Sequence, residues 1–196
     1  MGFDQSWRHH TITPAPFRFP TPLAHVTMGL GWDPVRRRGL FGRSRKDIDL
    51  NAAALMFAGP RLLDVAYHEK LTSNDGAARH LGDSVTGDGD GDNEVIVIDL
   101  TAMDPLVTTI FFVVSCYSGH TLDQVENGFC RITDSVTATE LIRCDLADTG
   151  PHTGVVVAKL QYREGDWDFT PIIDPISARH LTDAIPHLGD HLVESH

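Results

Sequence analysis

Cysteine is scarce and dispersed in this chain. Cys116, Cys130 and Cys144 are the three among 196 residues, and no Cys-x-x-Cys pair links them. That spacing excludes a disulfide framework and a zinc knuckle, and it points to a reducing compartment. Basic residues are also few. Sixteen Lys and Arg stand against 27 Asp and Glu, a formal charge of -11, which excludes a general affinity for nucleic acid or anionic membrane because both demand a basic surface. No apolar run reaches the roughly twenty residues of a membrane span, and residues 1–20 contain no apolar signal core. The expectation is a soluble, cytoplasmic protein with no transmembrane segment.

Catalytic signatures are missing as well. There is no Gly-x-x-x-x-Gly-Lys-Ser/Thr loop and no Gly-x-Gly-x-x-Gly after a strand, so nucleotide chemistry has no support. Ser115, Cys116, Ser118 and His120 lie close in sequence, but no Gly-x-Ser-x-Gly elbow accompanies them, and triads are assembled by folding instead of adjacency. Eleven histidines include His187 and His191 at helical spacing. No Glu lies between them to make His-Glu-x-x-His, and Pro186 breaks the helix.

What the chain has in excess is acid held by glycine. From Gly82 the sequence reads Gly-Asp-Ser-Val-Thr-Gly-Asp-Gly-Asp-Gly-Asp-Asn-Glu, placing carboxylates at Asp83, Asp88, Asp90, Asp92 and Glu94 with no basic residue between them. The run leads directly into Val95-Ile96-Val97-Ile98, so the charge is held at the start of a strand. Carboxylates this crowded repel one another unless a cation sits among them. Only oxygen ligands are offered, which selects a hard divalent ion, calcium first, over zinc. Gly87, Gly89 and Gly91 let the backbone turn its carbonyls inward. Asp88, Asp90, Asp92 and Asp99 echo the EF-hand spacing, but Asn93 replaces the turn glycine and the flank is β-branched instead of helical. A solvated acidic turn is the plain alternative.

Short β-branched and aromatic runs at 24–28, 47–57, 62–68, 95–100, 108–115, 129–133, 140–145, 155–162 and 167–173 predict about nine strands separated by turn signals. In the second, Asp47, Asp49 and Asn51 share one side of an alternating pattern. Residues 176–185 predict one helix. The fold class expected is all-β, a β-sandwich of two sheets with a short C-terminal helix. Residues 1–22, with four prolines, predict an extended arm, and the basic stretch at 36–46 predicts a loop, either solvated or facing phosphate or an acidic partner.

The order of three segments, Gly29-Leu30-Gly31-Trp32-Asp33, then Asp47 to Ala52, then the acidic glycine run, resembles the TerD family of tellurite-resistance and stress-response proteins. Later pieces match too, among them Gln124 to Phe129 and Asp166-Trp167-Asp168-Phe169. The resemblance implies a TerD-like β-sandwich over 23–196 that binds one or two calcium ions. By position, the ligands would be Asp47, Asp49, Asn51, Asp83, Asp92, Asn93 and Glu94, with carbonyls of Gly87, Gly89 and Gly91. It also implies protein partners in a stress-response complex at the membrane surface, and no catalysis. Asn51 and Asn93 stand where the family usually has Asp, and losing two charges weakens a calcium site. Two rival functions are a metal-dependent hydrolase of phosphate or sugar substrates, with Glu94 or Asp90 as base, and a metal-free module whose acidic loop binds a basic partner.

Overall fold

The computed structural model describes residues 21–34, 48–82, 84, 86–87 and 91–192. The predicted arm up to residue 20 and the basic loop at 36–46 lie outside them. Among the described residues, ten strands form two antiparallel five-stranded sheets. The first has the order β4-β5-β1-β7-β8, built from β1 (His25–Gly31), β4 (Ala78–His80), β5 (Glu94–Asp99), β7 (Phe129–Asp134) and β8 (Thr139–Asp145). The second runs β10-β9-β6-β2-β3, from β2 (Leu50–Ala58), β3 (Arg61–Ala66), β6 (Thr109–Cys116), β9 (Gly154–Arg163) and β10 (Asp166–Ile176). The β-sandwich expected from the periodicity is the fold observed.

Strand alternation decides what each face buries. In β2, Leu50, Ala52, Ala54 and Met56 point between the sheets, where they join Met28, Leu30, Ile96, Ile98, Phe112 and Leu160. Ala53, Leu55 and Phe57 point the other way, onto a second cluster with Phe111, Val113 and Val156. The C-terminal segment covers that outer cluster through Ala184 and Leu188. Because β2 and β6 are buried on both faces, they read as unbroken apolar runs instead of alternating ones. Burying each such Phe or Leu contributes about 1.5–3 kcal/mol.

The helical end differs from expectation. Residues 174–176 continue β10 against β9, with Asp174 opposite Val156 and Ile176 opposite Gly154. Helix α1 spans only Leu181–Ala184, followed by a 3-10 turn at Ile185–Leu188 and α2 at Gly189–Leu192. The Asp183 carboxylate accepts from the backbone of Arg179 and His180, and this cap starts the helix five residues later than the predicted start. Pro186 sits in the first turn of the 3-10 segment, where its missing N–H is harmless. Pro171 and Pro175 are tolerated in β10 because that strand is an edge.

The three cysteines are buried and free. Cys130 and Cys144 face each other across β7 and β8. Burial pushes the Cys144 thiol to about 11, and burial followed by the neighbouring Cys144 raises Cys130 well above its ordinary value. Both stay protonated at neutral pH, as packing groups.

Candidate functional site: an acidic loop seated on the first sheet

The acidic run returns to the sheet across the end of β1, and glycine makes the approach possible. A Cβ on Gly29 would overlap the Asp92 carboxylate, and one on Gly31 would overlap the Gly91 carbonyl and the Phe129 ring. The Gly-Leu-Gly sequence therefore leaves a strip of bare backbone on the outer face of β1, and residues 91–92 lie in it. At the far end of the loop, Gly87 packs against the Trp32 indole with φ +73. Trp32, 2% exposed, donates its indole N–H to the Ile48 carbonyl at 3.2 Å, which ties the loop to the entry of β2.

Asn93 fastens the strand end twice. Its N–H donates to the Leu30 carbonyl at 2.7 Å, and its Oδ1 accepts from the Trp32 N–H at 2.7 Å. Asp33 is held in turn by Asn127 Nδ2 at 2.7 Å and through its N–H by the Glu126 carbonyl.

Glu94, the first residue of β5, turns inward between the sheets. Its Oε2 accepts from the Ala52 N–H at 2.7 Å and lies 3.3 Å from His80 Nε2, both side chains fully buried. Because the Gly82 N–H donates to His80 Nδ1 at 3.3 Å, the imidazole proton sits on Nε2 and is donated to Glu94. One carboxylate thus joins β5, β4 and β2.

Asp92 has a cation within the chain. Arg131 stands opposite Gly29 in the β1–β7 register, and its Nε and Nη2 donate to the Asp92 oxygens at 3.0 and 2.7 Å. The Asp92 carboxylate holds the Arg131 guanidinium above its ordinary range. Arg143, over the Phe129 ring at 4.6 Å and paired with Glu140, completes this outer surface.

Of the residues picked out in the sequence, the fold gathers Gly87, Gly91, Asp92, Asn93 and Glu94 around the end of β1. Asp47, Asp83 and Gly89 lie outside the described residues. Asp49 precedes β2, its N–H donating to Ser118 Oγ at 3.3 Å and its carbonyl accepting from Tyr117. Asn51 is directed elsewhere. Its neighbour Ala52 faces Glu94, but the Asn51 side chain leaves from the opposite side of β2 and lines a cavity on the outer face. Among the described residues no three His, Cys, Asp or Glu side chains cluster closely enough to hold a metal ion.

Sequence reasoning missed Arg131 and His80, because their partners lie 39 and 14 residues away and only strand register brings them together. A signal for the seat was present: two glycines at a spacing of two within a strand mark close backbone approach.

A two-sheet sandwich with a glycine-rich acidic loop laid over one strand defines the class. The same fold occurs in the crystal structure of a homologue of the telluride resistance protein TerD from Streptomyces coelicolor, with a TM-score of 0.74 and 23% identity over 85% of this chain and 98% of that one. Residues 20–183 match the TerD domain, and the chain belongs to that family. It is 39% identical over 165 residues to tellurium resistance protein TerZ of Serratia marcescens, covering 82% of this chain and 85% of the relative. Stress response protein SCP2 of Bacillus subtilis is 32% identical over 177 residues, 83% of this chain and 88% of its own. Among the described residues no helix is long and apolar enough to cross a membrane.

Proposed function

We propose that this chain is a calcium-binding, non-catalytic interaction module of a tellurite and chemical-stress response system. The observation that carries the reading is the seating of the acidic run. Bare backbone at Gly29 and Gly31, with Asn93 and Glu94 as fasteners, seats the end of the acidic run, residues 91–94, on β1. The donor chemistry fits a hard cation and not zinc. Asp49, Asp92, Asn93 and Glu94, with carbonyls of Gly87 and Gly91, would hold the ion together with Asp47, Asp83 and Gly89. Bound calcium would supply positive charge that relieves repulsion along the loop.

Within the chain, Asn93 and Glu94 fix the loop's exit, Trp32 receives its Gly87 end, and Arg131 orients Asp92. The surface so ordered, bearing Arg143, Phe129 and Glu140, is suited to a protein partner, including one at a membrane surface.

The Asp92–Arg131 pair favours a second reading, a metal-free module whose acidic loop meets a basic partner, since the chain already neutralises one of the acids itself. Chelator and salt separate the two. Under the calcium reading, calcium raises the melting temperature by mass action and chelator reverses the rise. Under the metal-free reading, melts in calcium and chelator coincide, while high salt abolishes partner binding.

A further inference from the structure

The outer face of the second sheet holds a cavity of about 190 Å³, separate from the acidic loop. Its floor is Asn51 and Ser115, direct partners in the β2–β6 register and 7% and 6% exposed. Neither side chain makes a hydrogen bond among the described residues. Two adjacent polar side chains that open into the same space and have no partner among the described residues can meet another molecule there.

The rim carries a guanidinium and imidazoles. Arg179 and His180 line the rim, and their backbone N–H groups are both fixed by Asp183 Oδ2, at 3.1 and 3.0 Å. The His180 ring is further held edge-on against Tyr117, 4.8 Å between centroids. The Arg179 guanidinium makes no hydrogen bond or ion pair among the described residues, and it is permanently charged. His68 lines the opposite wall, its Nδ1 buried without a hydrogen-bond partner among the described residues. Two acids lie near this rim: Asp183, held below its ordinary value chiefly by the His180 and Arg179 backbone N–H groups, and Glu69, which accepts from the Tyr67 hydroxyl at 2.9 Å and lies 4.0 Å from His68 Nε2. A molecule here meets an amide, a hydroxyl, imidazoles and a guanidinium fork. The amide and hydroxyl can donate or accept, and the guanidinium can only donate, so a ligand with acceptors and negative charge suits the set.

We propose that this cavity, formed between β2, β6 and the segment before α1, binds a small oxyanion, either an inorganic one or a short carboxylate. The inference is independent of calcium at the loop.

The test is an amide-resolved NMR titration of the full chain with sodium phosphate, sodium sulfate and sodium acetate, in chelator, against sodium chloride at equal ionic strength. Saturable shifts are expected at Asn51, Ser115, Tyr117 and His180 with phosphate or sulfate if the ligand is inorganic, and with acetate if it is a carboxylate. Arg179→Gln, an exposed change that leaves the melt unaltered, is expected to weaken binding about tenfold to a hundredfold, as loss of a charge-assisted hydrogen bond implies. Ser115→Ala is expected to weaken it less. Absence of saturable shifts at these residues with all three salts, or equal affinity in Arg179→Gln, overturns the proposal.

Discussion

The two polar regions flanking β2 are built on opposite plans. On the first sheet, the described side chains of the seat are tied into the chain: Asp92 meets Arg131, Asn93 meets Trp32, and Glu94 meets Ala52 and His80. Under the C-terminal segment, Asn51 and Ser115 are as thoroughly enclosed, yet their side chains open into a cavity. The first arrangement stabilises a shape. The second leaves an amide and a hydroxyl facing open space, where a ligand can meet them. One strand supplies both, because alternate residues of β2 face opposite ways.

The sharpest way to break the first region is at its buried centre. Glu94→Ala in chelator is expected to destabilise the fold by about 2–5 kcal/mol, since it leaves a cavity and strands the Ala52 N–H. Denaturant unfolding measures it, and a loss below the range of a surface substitution would show that Glu94 does not hold the sheets together. Next comes the seat itself. Gly31→Ala drives a methyl into the Gly91 carbonyl and Phe129, with an expected loss of about 1–3 kcal/mol and disturbed amide resonances at 91–94. An unperturbed loop would mean that residues 91–92 do not rest on β1.

Acid sensitivity comes from elsewhere on the molecule. Asp75 is held below its ordinary value: partial burial acts to raise it, but the Ser73 hydroxyl and the Ala77 and Asp104 N–H groups together outweigh that. Asp134 is lowered by the same balance, with partial burial opposed by Thr137 and Val136. A depressed folded-state value means the unfolded chain takes up protons first as pH falls. Their stabilisation is therefore complete above the unfolded value near about 4 and is lost below it as pH passes through the folded values. Replacing Asp75 with Asn is expected to flatten that acid limb, read from unfolding free energy against pH, and an unchanged limb would remove Asp75 from the account.

The smallest stability effect belongs to the outer ion pair. With Arg131 39% and Asp92 15% exposed, Arg131→Ala is expected to cost no more than about 1 kcal/mol. Its value lies in a different readout. Removing the guanidinium frees Asp92, so calcium binding is expected to tighten in this variant, and weaker or unchanged binding would show that the two cations do not share that carboxylate.

Much of the fold was legible because its strands carry their own signal. The runs at Thr109–Cys116 and Gly154–Arg163 are apolar and β-branched along most of their length, and turns such as Asn74-Asp75-Gly76 punctuate the chain. β4, three residues long, carries too little pattern to be read. The helix start was misplaced because residues 174–176 acquire their extended shape from pairing with β9, a partner no local pattern reveals. Within the candidate site, the oxygen-rich loop was visible as composition and spacing. Its seat was not, since Arg131 and His80 arrive by register and the inward turn of Glu94 depends on which face of β5 meets the other sheet. Asn51 shows the limit most clearly: alternation sets it on the face of β2 opposite Ala52, but only the packing of the two sheets tells which of the two faces the core.

Calcium titration calorimetry on the full chain bears most directly on the central claim that the seated loop is a cation site. The expected result is saturable heat corresponding to one or two ions, with a melting temperature that rises in calcium and falls back in chelator. Flat heats together with superimposable melts would contradict it.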